Sequence, residues 1–230
     1  ALFYAATKAR VARNRIIVIE DEQGNIYYGD DDIGKVADSY FTNLFTTTRQ
    51  DHINYESVFE GFQQRVSASV NNDLTRPVIE DEIKNAVFAI GGDPAPGPDG
   101  LSGAFYQHFW SDIKESVVME VQRFFLEKTF QGETNHTNLC LIPKVSTSKS
   151  MSDFRPIALC NVNYKIISKI LVGRLQKHLS SIVSENQAAF IPGRNIMDNV
   201  IMAHEMLHSL KARKRWANSY MAVKTDISEA

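Results

Sequence analysis

From Asn161 onward, Val162, Ile166, Ile167, Ile170, Leu171, Leu175 and Leu179 recur at three- and four-residue spacing, directly after an apolar run, FRPIALC, that ends at Cys160. Apolar residues at that period line one face of a helix, and Lys165, Lys169 and Lys177 fall largely off it. FRPIALC itself reads as a strand, and so does TNLCLIPK, which ends at Lys144. The polar VSTSKSMSD between them makes a long tip, so the two strands are expected to pair as an antiparallel ribbon. A ribbon feeding a buried helix directs the chain to an α+β class.

The remaining segments alternate in the same way. RIIVIE and IYY flank a turn at Glu22 to Asn25, where Gly24 suits a tight reversal, and are expected to form a small hairpin. Asp30, Asp31 and Asp32 favour a helix N-terminus, after which Ile33, Val36, Ala37, Tyr40, Phe41, Leu44 and Phe45 hold helical spacing. Residues 46–75 are polar and weakly patterned, as loop and short helix are. Ile79, Ile83, Val87 and Ile90 predict a helix over about 79–90 that Gly91 and Gly92 end. GGDPAPGPDG, with three prolines and four glycines, must turn or link. Two helical patterns run through FYQHFW and IKESVVMEVQRFFLEK, where Phe124 and Phe125, with Phe130 just beyond, are expected to pack rather than bind a ligand. After IPGRN comes a helix of about 196–211, and the closing YMAVKTDISEA is expected as a buried strand with Asp226 at its exposed end.

At 230 residues with 43% hydrophobic and 23% charged composition, the chain can bury one sizeable core or two small ones. No apolar run approaches the length of a membrane span. The net charge of −2 conceals a split: residues 1–135 hold 12 Lys+Arg against 21 Asp+Glu, a net of −9, whereas residues 136–230 hold 13 against 6, a net of +7. A basic half carrying Lys144, Lys149, Arg155, Lys165, Lys169, Arg174, Lys177 and Arg194 is either a polyanion-binding surface or a solvated helix face. Cys140 and Cys160 are too few for a disulfide framework or a thiolate zinc site, which fits a reducing, intracellular setting. The opening ALFYAATKARVARNR reads as a basic linker helix rather than a transit peptide. Because it starts on Ala, the chain is expected to be cut from something longer at both ends.

Two constellations have chemical meaning. HEMLH, on a predicted helix, has the local form of a zinc protease: His204 and His208 would ligate Zn²⁺ from one face, Glu205 would act as general base, and Glu229 is a possible third ligand. The alternative is two surface histidines. The second is an ordered set: PGPDG at 96–100, LIPK ending at Lys144, FRPI beginning at Phe154, QAAFIPGRNIMDN from Gln187, and KTDIS around Asp226. This series resembles the reverse transcriptase of LINE-type, non-LTR retrotransposons, plant elements in particular, over nearly the whole chain. The early YFTNLF helix resembles the linker that precedes the polymerase in those proteins.

That resemblance implies an incomplete right-hand polymerase fold: residues 1–75 as linker and N-terminal extension, and 76–230 as fingers and first palm strand. LIPK and FRPI would form the fingers hairpin, with Lys144 and Arg155 gripping the incoming dNTP triphosphate. Lys offers a compact point charge and Arg a bidentate fork, and one hairpin face can hold both. Gln187, Gly193 and Arg194 would shape the template and nucleotide pocket, and Pro98, Asp99 and Gly100 would form a tight turn near the template. The plainer readings are a rigid loop capping a helix and a turn relieved by Gly100. Asp226 matches the first metal-binding aspartate of the palm, and the Ile227 carbonyl would add an oxygen ligand for one of two Mg²⁺ ions. Capping of a following helix is the other reading of Asp226. The chain departs from the family in carrying Glu229 where Lys is usual, in lacking the aromatic that normally follows Ala230, and in lacking the Tyr-x-Asp-Asp carboxylates. The resemblance therefore implies a fragment that is inert alone, from a protein that copies an RNA template onto a DNA primer in the nucleus. Its polyprotein would place an endonuclease upstream and palm and thumb downstream, with no membrane partner.

Overall fold

The computed structural model describes residues 15–47, 59–61, 63–92, 95–130, 132–145, 147–212, 221 and 223–225. The first described element is a hairpin in which β1 (Val18–Glu20) pairs antiparallel with β2 (Ile26–Tyr28). Asp21 closes the turn: its carboxylate accepts from the backbone N–H groups of Gln23 and Asn25, the Asn25 amide and the Tyr27 hydroxyl. Gly24 takes φ +84°, a region costly for any side chain with a Cβ. Helix α1 (Asp30–Phe45) follows, its three opening aspartates complementing the positive helix end, and buries Ile33 and Phe41.

The helical body comprises α2 (Ala68–Thr75), α3 (Glu80–Phe88), α4 (Gly103–His108), α5 (Trp110–Glu127) and α6 (Val162–Gln176). Ser67 and Ser102 cap α2 and α4 by accepting the N–H of Val70 and Phe105. One buried cluster joins Ile83 and Val87 of α3, Tyr106 of α4, Trp110, Val117 and Val121 of α5, and Val162, Ile166, Ile167 and Ile170 of α6. Each such aliphatic side chain contributes about 1.5–3 kcal/mol by leaving water. Phe124, Phe125 and Phe130 pack against this cluster, and Phe130 stacks on Tyr164 at 5.5 Å. Helix α3 is shorter than the periodicity predicts: Ile79 is its extended N-cap and stays 54% exposed, and Gln107 donates to the Val87 and Ile90 carbonyls at its far end.

Helix α6 corrects the apolar stripe. Its buried seam runs through Val162, Ile166, Ile167 and Ile170 to Arg174, whereas Leu171 and Leu175 are 47% and 43% exposed. Arg174 is 3% exposed because its guanidinium forks onto both Glu82 carboxylate oxygens at 2.8 Å and donates to the carbonyls of Leu74, Arg76 and Pro77. It is therefore not part of a polyanion-binding surface. Packing also crosses residue 75, since Asp73 of α2 meets His178 at 2.8 Å and the Leu74 carbonyl meets Arg174.

Strands β3 (Thr137–Pro143) and β4 (Phe154–Cys160) pair antiparallel from Thr137↔Cys160 to Pro143↔Phe154. A second buried cluster gathers Ile19, Ile33, Phe41, Met151 and Phe154, with Leu141 packed against it, so the N-terminal hairpin and α1 share a core with the ribbon. The α+β expectation holds: helices dominate, and the described strands form two two-stranded antiparallel sheets. After α6 come α7 (Leu179–Ile182) and α8 (Ile196–Ala212), the latter at the expected place and exposing Val200, Ile201, Met202, Met206 and Leu207. The expected closing strand is corrected where it is described. Met221 and Val223 lie in no strand and are 85% and 67% exposed, since no described strand pairs with them to bury their side chains.

Glu82→Ala leaves Arg174 buried without its counterion, and chemical denaturation should read a loss of about 3–5 kcal/mol. Arg174 holds the Glu82 carboxyl below its ordinary value of 4.5. The stabilisation is thus complete above the unfolded group's value and is lost as pH falls through the lowered folded value. Glu82→Gln should flatten the fall in stability below about pH 4.5 in an acid titration followed by circular dichroism.

Candidate functional site

Residues opposite one another in an antiparallel ladder project from the same face, and successive residues alternate. Ile142 pairs with Arg155, and the Lys144 N–H extends the ladder by donating to the Asp153 carbonyl at 2.8 Å. Lys144 and Arg155 therefore share one face as diagonal neighbours, roughly 7–8 Å apart by sheet geometry. Cys140, Ile142 and Ile157 lie on the same face, and they and Arg155 are exposed, while Lys144 is half-buried. The reverse face carries Leu141 and the buried Phe154 into the second core. Asp153, the acid nearest this basic pair, turns its carboxylate to the backbone N–H groups of Lys149 (2.9 Å) and Ser150 (3.0 Å). Those donors, Lys149 first, hold its carboxyl below the ordinary range. A ribbon with an exposed guanidinium and a half-buried ammonium on one face, its neighbouring acid engaged by backbone donors, has the charges to hold a di- or triphosphate.

Pro98, Asp99 and Gly100 lie at the other end of the ribbon. Gly100 N–H closes a turn onto the Gly97 carbonyl with φ +72° at Gly100, and the Asp99 carboxylate accepts the Leu101 N–H. Asn161, buried between β4 and α6, accepts the Asp99 N–H and donates to the Glu133 carbonyl, pinning the turn to the ribbon base. A Cβ on Gly97 would come within 2.3 Å of Asn161 Oδ1 and 2.5 Å of its backbone N, so only glycine fits there. Gly97 and Asn161 escaped the sequence reading; an Asn just before a helical stripe is the one signal that pointed to this junction. Five residue steps along β4 carry Arg155 to Cys160, so turn and cations stand roughly 17 Å apart along the strand. Nearby, burial pushes the Tyr106 hydroxyl up to about 12.

The Gln187–Arg194 loop is at the opposite end of α6, a helix of 15 residues spanning about 22 Å. Arg194 directs its guanidinium to the carbonyls of Ser180, Val183, Ser184 and Gln187, and Gly193 takes φ +76°. A fork engaged by four carbonyls ties the loop to the end of the preceding helix and has few N–H groups left for a phosphate. Gln187 is exposed and donates to the Ala189 carbonyl at 3.3 Å. Beside it, Phe190 holds φ +63° and is 96% exposed, a conformation no spacing rule anticipates for an aromatic residue.

Helix α8 places His204 and His208 one turn apart, both exposed, with Glu205 also exposed. Among the described residues no three His, Cys, Asp or Glu side chains converge to hold a metal ion. Asp226, Ile227 and Glu229 lie outside the described residues, so neither the polymerase aspartate nor the third zinc ligand is placed relative to these groups. A cleft of about 800 Å³ between β1, α1 and the ribbon tip is lined by Glu20, Asp21, Glu22 and Asp32, with Lys35 tied to Asp32 at 2.8 Å. Its charge repels phosphate, which leaves the Arg155 face as the basic surface of the ribbon. Among the other predicted cations, Lys149, Lys169 and Lys177 are exposed.

Residues 142–230 match the family model described as reverse transcriptase (RNA-dependent DNA polymerase). The chain is 28% identical over 206 residues to the Transposon TX1 uncharacterized 149 kDa protein of Xenopus laevis, covering 90% of this chain and 16% of that protein. It is 24% identical over 168 residues to the retrovirus-related Pol polyprotein from type-1 retrotransposable element R2 of Nasonia vitripennis, covering 73% and 15%. Against the corresponding polyprotein of type-2 element R2DM of Drosophila melanogaster it is 23% identical over 157 residues, covering 66% and 14%. The chain thus spans about one-sixth of the length of these curated relatives or less. Both cations of the ribbon thus lie inside the segment similar to reverse transcriptases, and most of the chain is similar to proteins of non-LTR retroelements.

Proposed function

We propose that this chain supplies the fingers and the first palm segment of an RNA-directed DNA polymerase, acting where a retrotransposon RNA is copied in the nucleus. In the parent reaction a DNA primer 3′-OH attacks the α-phosphorus of a dNTP paired with the RNA template, and pyrophosphate leaves. The observation that carries the reading is that Lys144 and Arg155 share the outward face of β3–β4 within the family-matched residues. Arg155 would fork onto two phosphate oxygens while Lys144 adds a point charge, and both would stabilise the charge that grows on the leaving pyrophosphate. Asp226 and the Ile227 carbonyl are the proposed Mg²⁺ ligands, and bound ions would neutralise charge on the same phosphates. The remaining carboxylates, thumb and endonuclease belong, in this proposal, to a longer protein.

Exposed Lys149, Lys169 and Lys177, in the half with a net charge of +7, favour a second role for the same chain: contact with the nucleic-acid backbone without synthesis. No described helix is long and apolar enough to cross a membrane.

In a polymerase containing this chain, Lys144→Ala and Arg155→Ala should each raise the KM for dNTP about tenfold, as removal of one charge-assisted hydrogen bond to phosphate would, and change primer-template affinity by less than about twofold. Steady-state kinetics beside a binding titration checks this, and an equal loss of template binding in both variants would overturn the assigned roles. For the second role, RNA affinity should fall steeply with salt, and Lys169→Ala with Lys177→Ala should reduce the slope of log K against log salt by roughly one unit for each phosphate no longer neutralised. A slope that does not change with these lysines would remove them from the interface.

A further inference from the structure

A two-stranded ribbon is marginally stable by itself in water, so the convergence of Lys144 and Arg155 depends on what holds its two ends. The base is fixed to the helical body through Asn161 and α6. The tip is met by the N-terminal segment: Glu20 N–H donates to the Lys149 carbonyl at 2.8 Å, and Glu20 bridges Ser150. Ile19 is fully buried and, with Ile33 and Phe41, forms one apolar cluster with Met151 and Phe154. Phe154 immediately precedes Arg155 and points to the opposite face, so seating Phe154 sets the direction of Arg155. The tip is ordered internally as well, because Ser150 and Asp153 form a reciprocal capping box.

We propose that residues 16–45 are the second anchor of the phosphate-gripping ribbon, with Ile19 and Phe41 as positioning residues for Arg155 and Lys144. The segment expected as a linker then belongs to the nucleotide site: it holds the reverse face so that the forward face presents both cations to one triphosphate. This inference rests on the nucleotide role proposed above.

Hydrogen exchange and tripolyphosphate binding on the whole chain separate the two ideas. Ile19→Ala should raise amide exchange in residues 147–155 about tenfold or more and weaken tripolyphosphate about tenfold, matching Arg155→Ala. Ile19→Val, too small a change to unfold the chain, should restore most of both. Val121→Ala, which opens the other buried cluster, should leave both unchanged. If neither Ile19→Ala nor Phe41→Ala alters exchange at 147–155, or if Val121→Ala alters it equally, the positioning role is overturned. If the unsubstituted chain and Arg155→Ala hold tripolyphosphate equally, the nucleotide role fails instead, and the exchange readout alone decides whether residues 16–45 anchor the ribbon.

Discussion

A single guanidinium organises the helical body. Arg174 joins α6 to α3 through both oxygens of Glu82 and to the last turn of α2 and the segment after it through three backbone carbonyls, with the Phe125 ring 5.6 Å beneath it. Taking a charge out of water is costly, and the cost is met only when nearly every N–H finds an acceptor in good geometry. That requirement fixes how α6 sits on α3. Since α6 grows directly out of β4, it also fixes where the ribbon leaves the body.

The ribbon then works by having unlike faces. One face puts Leu141 and Phe154 into an apolar cluster and the other keeps Ile142, Ile157 and Arg155 at the surface. A side-chain period of two makes this arrangement intolerant of slippage, because a one-residue shift would bury Arg155 and expose Phe154. The acid at its tip is engaged by backbone donors, and the acid-lined cleft belongs to the N-terminal side of the tip. A polyanion approaching the ribbon is thus attracted to one face and repelled from the neighbouring cleft.

Much of this was legible in advance. The ribbon, the hairpin at Gly24, the helix from Asp30 and the helix carrying HEMLH all stand where the periodicity put them, since each depends on local spacing and local turn chemistry. Lys144 and Arg155 share a face because strand alternation follows from residue count once the pairing is set. Arg174 was not legible as internal, because a count of cations cannot tell an arginine that faces solvent from one whose fork is filled by carbonyls of a distant segment. Gly97 was one glycine among four until Asn161 was seen against it.

Sequence by itself determined the α+β class, the positions of most strands and helices, the charge split between the halves, and the likeness of residues 142–230 to reverse transcriptases. These are local or compositional properties, carried by spacing along one stretch of chain. Only the tertiary structure decided that Arg174 is internal, that Asn161 fastens the Pro98–Gly100 turn, and that Ile19 and Phe41 share a core with Met151 and Phe154. Each of those pairings joins residues far apart in the chain, and such contacts are selected by shape and by the need to satisfy buried polar groups, neither of which has a period in the sequence.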